Sequence, residues 1–305
     1  MNYNDLLMIG YVKDSLVKQG FHMAHVWRGD HRFHHNKVAL YNFFGIINRL
    51  YGFTKEDAQR HHKFILFETG AAHHIVDDIL KWNPSADIKF VMANIVADYG
   101  EWKIRKLQQR GIKIFSFDKG DCEKYHLFWY PVLCFYEGNL AQKPIKNDVY
   151  FIGKDKKRAE YIKRIYDVIS GEGYRCNFKV VLDKNSAKKR DHLQGLHLLE
   201  KGIPYDSVLD DIAESSVILD VVQAGQRGLT MRPMEAFFYD KKLITNNVDV
   251  KDLPFYKFGN VLIVGDRFEE VAAFLKKPFN HYAESEKYRY TFEKFVELIF
   301  CEEKE

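Results

Sequence analysis

"SVILDVVQAGQRGLTMRPMEAFFYDKKLITNN" occupies residues 216–247 and decides the fold. Residues 216–222 form a short apolar run, which predicts a buried strand. Residues 223–230 carry two glycines among polar side chains, so the chain leaves the sheet there in a loop. Pro233 lacks a backbone N–H and drives Arg232 out of the helical region, and proline is favoured at the first helical position. A helix is therefore predicted to start near Pro233, with Glu235 in its first turn. "KKLITNN" (241–247) reads as the next strand.

The same strand–helix rhythm extends in both directions. Upstream, apolar strands at 5–11, 21–27, 63–68, 87–96 and 112–118 alternate with helical patterns at 12–20, 35–53, 72–83 and 101–111. Such alternation predicts a parallel sheet with right-handed crossovers. "YEGNLAQKPIKND" (136–148) is polar and holds Gly, Asn and Pro, the composition of a linker. After it the rhythm restarts. Strands are predicted at 149–154, 176–183, 216–222, 241–247 and 260–265, and helices at 155–173, 203–215, 233–240 and 267–277. The last helix, 284–300, is long and aromatic. The fold class read from this is α/β, with two doubly wound halves. Their expected bounds are 1–144 and 145–280, and residues 281–305 form a C-terminal helix that packs back on the first half. Ligands of open parallel sheets sit beyond the carboxyl ends of the strands, so two such halves would face a cleft.

Composition narrows the function. Apolar residues make up 46% of the 305, enough for two cores. The net charge is +4, and the lysines and arginines are dispersed, as in "KDKKRAEYIKRIY", which reads as a solvated helix face. No helix-turn-helix, zinc-finger or RNA-binding motif is present, so nucleic acid is not an expected partner. Cys122, Cys134, Cys176 and Cys301 form no Cys-x-x-Cys pair, which predicts reduced thiols and a cytoplasmic protein. No stretch reads as a signal peptide or as a membrane span. "HLFWYPVLCFY" (126–136) is the most apolar segment and fits either a core strand or a membrane-facing loop.

The chemistry of 223–235 can be read from residue types. Glycines at 225 and 228 let backbone approach a ligand closely. Arg227 and Arg232 carry forks that match phosphate oxygens. Free amides at a helix start bind anions. Together these parts make a diphosphate site, beside which a carboxylate at 235 would repel phosphate but accept hydrogen bonds from two ribose hydroxyls. The plainer reading also stands: an acid favoured by the helix dipole, with arginines in surface ion pairs.

"GLTMRPMEAFFYDKKLITNN" (228–247) resembles the donor-site motif of GT-B glycosyltransferases: a Gly-rich loop, Glu-Ala in a short helix, then a strand ending in Thr or Asn. "KIFSFDKGDCEKY" (113–125), "DVYFIGKDKKR" (148–158) and "IPYDSVLDDIAES" (203–215) are similar to enzymes of bacterial lipopolysaccharide or capsular polysaccharide synthesis. The likeness is good over 148–266 and weak before it. It implies transfer of a sugar from a nucleotide-diphosphate donor to a glycan or lipid-linked acceptor, without a metal or other cofactor. It also implies association with the inner face of the cytoplasmic membrane. By the same resemblance, Glu235 binds the donor ribose, and Gly153 and Lys154 lie near the donor phosphates. Ile203, Pro204 and Tyr205 cradle the base, and Gln226, Arg227, Gly228, Leu229 and Thr230 lie under the sugar and diphosphate. Gln223 is a further candidate for the sugar hydroxyls. Many retaining members of the family have two glutamates with seven residues between them. Here the first position is Arg227, which leaves retention or inversion open. A nucleotide-sugar 2-epimerase and an inactive partner subunit of a polysaccharide assembly complex are the alternatives.

An inverting reaction needs a general base beside the acceptor hydroxyl. His31, His73, Asp98 and Asp118 lie at expected strand ends of the first half, where each also fits a capping or surface role. His31, His34 and His35, or the pairs at 61–62 and 73–74, could hint at a metal, but a supporting carboxylate pattern is missing and no metal is expected. Asp-x-Asp, Gly-x-Ser-x-Gly, the P-loop and Gly-x-Gly-x-x-Gly are all absent, which disfavours GT-A transferases, hydrolases, P-loop enzymes and dehydrogenases.

Overall fold

In a computed structural model of the chain, residues 51–68, 71–130, 136, 138, 140–141, 143–183, 191–223, 229–266 and 268–300 are described. The elements expected before residue 50 lie outside them. The chain divides into two compact units, one ending at Pro131 and the other beginning at Val132.

Unit 1 runs α1 (Lys55–Arg60), β1 (Lys63–Phe67), α2 (Ala72–Trp82), β2 (Asp87–Val91), α3 (Val96–Tyr99), α4 (Glu101–Gln108), β3 (Lys113–Ser116), α5 (Lys119–Tyr125) and β4 (Phe128–Trp129). Its described strands lie in the order β1-β2-β3-β4, all parallel. Ile75, Val76 and Ile79 of α2 and Ile104 and Leu107 of α4 pack on Leu66, Ile88, Phe90 and Ile114. That core follows from the apolar stripe of α2 on one side and from strand alternation on the other. α5, "KGDCEKY", buries none of its residues, so it has no stripe for periodicity to detect. Its start is set instead by Asp118, whose Oδ1 accepts from the Asp121 amide at 2.8 Å.

Unit 2 runs β5 (Asn147–Lys154), α6 (Ala159–Gly171), β6 (Cys176–Val181), β7 (His197–Leu199), α7 (Tyr205–Ala213), β8 (Ser215–Asp220), α8 (Arg232–Phe238), β9 (Lys242–Thr245), β10 (Val261–Ile263), α9 (Glu269–Lys276), α10 (Glu284–Tyr288) and α11 (Phe292–Phe300). Six parallel strands lie in the order β10-β9-β8-β5-β6-β7. Numbered from β5 and read from the β7 edge, this is 3-2-1-4-5-6, the Rossmann order. The sheet is wound on both faces. Val149, Phe151, Val217, Leu219 and Ile244 pack with α6 and α9, while α7 and α8 pack on β5, β8 and β9. Alternation along β8 therefore sends Leu219 to the α6 face and Asp220 to the α8 face.

The expected single helix over 284–300 is two, α10 and α11. Between them the Tyr290 carbonyl accepts from the Tyr136 amide at 2.9 Å. The Tyr290 ring lies 5.6 Å from Phe237 and 6.1 Å from Phe238. The ring is buried, and the interruption between the two helices falls at this residue. No helix among the described residues is long and apolar enough to cross a membrane.

Candidate functional site

The order of the unit 2 sheet reverses between β5 and β8, and the crevice beyond the carboxyl ends of those two strands is the topological switch point. Ten of the donor-site residues singled out in the sequence are described, and all lie in this unit: Gly153, Lys154, Ile203, Pro204, Tyr205, Gln223, Leu229, Thr230, Arg232 and Glu235. Gln226, Arg227 and Gly228 lie outside the described residues.

α8 spans Arg232–Phe238, so Arg232, expected outside the helix, is its first residue and Pro233 its second: the helix enters one residue early through Met231, whose backbone is already helical, and Glu235 is 1% exposed. A buried carboxylate needs partners, and Glu235 has two. Oε1 accepts from the Tyr205 hydroxyl at 2.9 Å, and Oε2 is paired with Nη1 of Arg232. Tyr205 is the first residue of α7, directly after Pro204, whose extended backbone aims the ring toward α8. Burial works against the charge on Arg232, but Glu235, Tyr150 and Tyr205 together outweigh it and hold the guanidinium above its ordinary range. One side chain from α7 and two from α8 are thus locked together on one face of the sheet. Tyr150, wholly buried on β5, lies close enough to Arg232 and Glu235 to interact with both charges.

The feet of the loop after β8 are pinned. Asp220, 3% exposed at the end of the strand, accepts from Thr230 Oγ1 at 2.8 Å and from Thr245 Oγ1 at 2.9 Å. Burial raises its pKa, and the two hydroxyls act in the opposite sense. Asn246 takes both backbone groups of Val222, accepting from N–H at 2.7 Å and donating to C=O at 3.1 Å. Thr230 also accepts from the Arg232 amide at 3.2 Å, which ties the far end of the loop to the start of α8.

Arg158 was not singled out by sequence, where it reads as part of a solvated helix face. Its Nε donates to the Lys154 carbonyl at 3.0 Å, and its Nη1 donates to the Val221 carbonyl. The guanidinium therefore bridges the ends of β5 and β8. Among the described residues no carboxylate pairs with it, and its two partners are neutral. Burial pulls its pKa down, against the attraction of Asp220 and Asp155. Gly153 makes this placement possible: a Cβ there would stand 2.7 Å from Arg158 Nη2 and 2.9 Å from Phe151 Cζ. The signal that could have exposed Arg158 is the Gly–x₄–Arg spacing across a strand end. Lys154, beside it, is exposed.

In unit 1 the candidate bases separate by role. Asp118 is the buried N-cap of α5. Asp98 is exposed on α3. His73 is buried near the start of α2, its ring 5.2 Å edge-on from Trp102 and 4.0 Å from His74. Burial lowers its pKa to about 4. His31, His34 and His35 lie outside the described residues. Among the described residues no three His, Cys, Asp or Glu side chains form a group that could hold a metal. Glu68, which the sequence left unassigned, closes the end of β1 by accepting from the amides of Ala93 and Asn94 at 2.9 and 2.8 Å.

No family model matches the chain, and no curated protein matches it. Solved structures do align with it at low identity. A T4 phage BGT variant in complex with UDP-glucose is 12% identical with a TM-score of 0.49, over 81% of this chain and 83% of that one. The DNA-modifying enzyme beta-glucosyltransferase is 13% identical with a TM-score of 0.47, over 81% and 82%. The glycotransferase of kitacinnamycin is 12% identical with a TM-score of 0.43, over 80% of each.

Proposed function

We propose that this protein is a GT-B glycosyltransferase that moves a sugar from a nucleoside-diphosphate donor bound to unit 2 onto an acceptor bound by unit 1. The observation that carries the reading is Arg158. A partly buried cation that has no ion pair among the described residues is costly unless an anion joins it. This one bridges the two central strand ends of a Rossmann-order sheet, where such folds take their ligands. A donor diphosphate is the anion that fits. Arg158, with Lys154 beside it, would stabilise the negative charge that builds on the leaving diphosphate as the anomeric bond breaks. Glu235, in the first turn of α8, would accept the ribose hydroxyls, with Tyr205 close by for the base. Arg232, paired with Glu235, would serve the diphosphate less directly than its residue type implied.

In this reading the reaction proceeds without a metal, because the arginine and lysine supply the positive charge at the leaving group. A glycan or lipid-linked acceptor of surface polysaccharide synthesis, reached at the cytoplasmic face of a membrane, remains the acceptor class that the sequence resemblance supports.

The test is isothermal calorimetry with UDP, GDP and their sugars, followed by Arg158→Ala and Glu235→Ala. A nucleoside diphosphate should bind, and Arg158→Ala should weaken it about 10- to 100-fold, the loss of a charge-assisted hydrogen bond. Binding of any nucleoside diphosphate that is indifferent to both substitutions would sink the assignment. Donor turnover in excess EDTA tests the metal-free chemistry: complete loss restored by Mn²⁺ contradicts it. A free epimer formed without acceptor would favour the epimerase alternative.

A further inference from the structure

We infer that unit 1 takes an anionic saccharide at Trp102, with Lys103 and Lys106 as the cations; this rests on the reading of unit 1 as the acceptor side. Trp102 is the second residue of α4, and His73 is the second of α2. Both helices follow the carboxyl end of a parallel strand, α2 after β1 and α4, by way of α3, after β2. That rim is where such sheets take ligands. The two rings meet there edge-on at 5.2 Å. His73 is buried, whereas Trp102 is 53% exposed. The indole N–H has no acceptor among the described residues. A ring of this size is mostly buried in a folded chain, and one left open at a ligand-bearing rim offers both an apolar surface and a hydrogen-bond donor.

The charges around it are uneven. Lys103 Nζ lies 4.7 Å from the Tyr99 ring centroid and 5.7 Å from that of Trp102, and Lys106 Nζ lies 5.2 Å from Trp102. Neither lysine pairs with a carboxylate among the described residues. The neighbouring arginines are already paired, Arg105 with Glu101 at 2.7 Å and Arg110 with Asp77. Burial, reinforced by Lys106, lowers the pKa of His73 and of His74, so neither imidazole adds charge at neutral pH. The local excess is therefore two ammonium groups resting on a half-exposed indole. A cation over an exposed ring is held weakly. A hydrogen bond from an ammonium to a carboxylate or phosphate is much stronger. An anion would draw both flexible stems to itself and uncover the ring for the apolar side of a sugar.

The size of the patch selects the class of ligand. Two ammonium groups match one phosphate or a pair of carboxylates. A nucleic-acid site of ordinary strength neutralises about 6–10 phosphates, more than this surface can serve. A neutral glycan would gain nothing from the lysines. A saccharide that carries an acidic group uses the indole and the ammonium groups together.

The experiment is titration of the full-length protein with tetragalacturonate and glucose 6-phosphate as acidic probes, maltotetraose as the neutral probe, and a thymidine oligonucleotide. Tryptophan emission and calorimetry are the readouts. UDP binding and thermal unfolding are measured in parallel for each variant. An acidic saccharide should bind about 10-fold or more tighter than maltotetraose, and it should cause an emission change that is missing from Trp102→Phe. Joint Lys103→Gln and Lys106→Gln substitution should cut that preference to less than about 2-fold. It should change UDP affinity by less than about 2-fold, since distant sites act independently. A preference retained in the double lysine variant, or an emission change that persists in Trp102→Phe, overturns the inference. An oligonucleotide that binds as tightly as the acidic saccharides overturns it too. If UDP binds and neither acidic saccharide does, the inference falls and the proposed function stands. If UDP does not bind, the donor-site reading of unit 2 falls, and the saccharide titrations still decide whether this surface takes an acid. Should Trp102→Phe unfold, the double lysine variant carries the same test.

Discussion

Gly153 shows how narrow the tolerances of the site are at the scale of one residue. The hydrogen atom that glycine carries in place of a methyl group leaves the space that the Arg158 guanidinium fills. Gly153→Ala should push that guanidinium off the Val221 or Lys154 carbonyl and cost about 1–3 kcal/mol, the usual range for overpacking a close contact. Nucleoside-diphosphate affinity should fall with it. The double variant with Arg158→Ala should lose no more than Arg158→Ala alone, since neighbouring changes in one contact are not additive. Full additivity in calorimetry would show that Gly153 acts elsewhere. At this scale the sequence was uneven. Glu235 was readable because proline and glycine mark its surroundings. Arg158 was not, because a lysine-rich run looks solvated, and only tertiary structure shows one arginine of the run turning inward across two strand ends.

Elements were legible where their own chemistry set them. α8 begins one residue before Pro233, with the proline in its first turn, and α2, β5 and β8 follow their apolar periods. α5, which buries no side chain, and the three-residue β7 carry no such pattern. α11 separates from α10 at Tyr290, whose ring lies against Phe237 of α8, a contact that no local pattern encodes. α9 ends through a residue on another element. Lys242, 7% exposed at the start of β9, donates to the carbonyls of Phe274, Leu275 and Lys277 at 3.1, 2.7 and 2.9 Å. An ammonium at a helix C-terminus satisfies the last carbonyls and suits the helix dipole. Burial lowers its pKa, which the three acceptors must offset. Lys242→Met keeps the stem and leaves those carbonyls without their donor, at a cost of about 2–4 kcal/mol. A urea midpoint that drops by this amount at constant m-value is the expected result. A shift below about 0.5 kcal/mol would mean that water replaces the ammonium freely.

At the scale of the whole molecule, the restart of the strand–helix rhythm made a second α/β unit legible, while the division of the chain falls between Pro131 and Val132, ahead of the polar 136–148 stretch. The switch point was not legible, because strand order depends on pairing between strands that are not sequence neighbours. Two units with separate cores should unfold in separable steps, and the chemistry of each gives a handle to tell them apart. Unit 1 contains His73, whose pKa in the folded chain is about 4 against an ordinary 6.5. The unfolded chain therefore takes up the proton first. The stability that a neutral His73 contributes is complete above pH 6.5 and is lost as pH falls from there toward 4. Solvent near the helix surface screens part of the effect, leaving about 1 kcal/mol at pH 5, or a few degrees in the unit 1 transition. His73→Gln should flatten that dependence. Unit 2 contains the proposed donor site. A nucleoside diphosphate at 100 times its Kd should stabilise that unit by about 2.7 kcal/mol and raise its transition by roughly 5–10 °C. Differential scanning calorimetry at pH 7 and pH 5, with and without UDP, should therefore move one transition with acid and the other with ligand. If UDP lifted the acid-sensitive transition instead, the donor site would belong to unit 1, and the roles given to Arg158 and Glu235 would have to be abandoned.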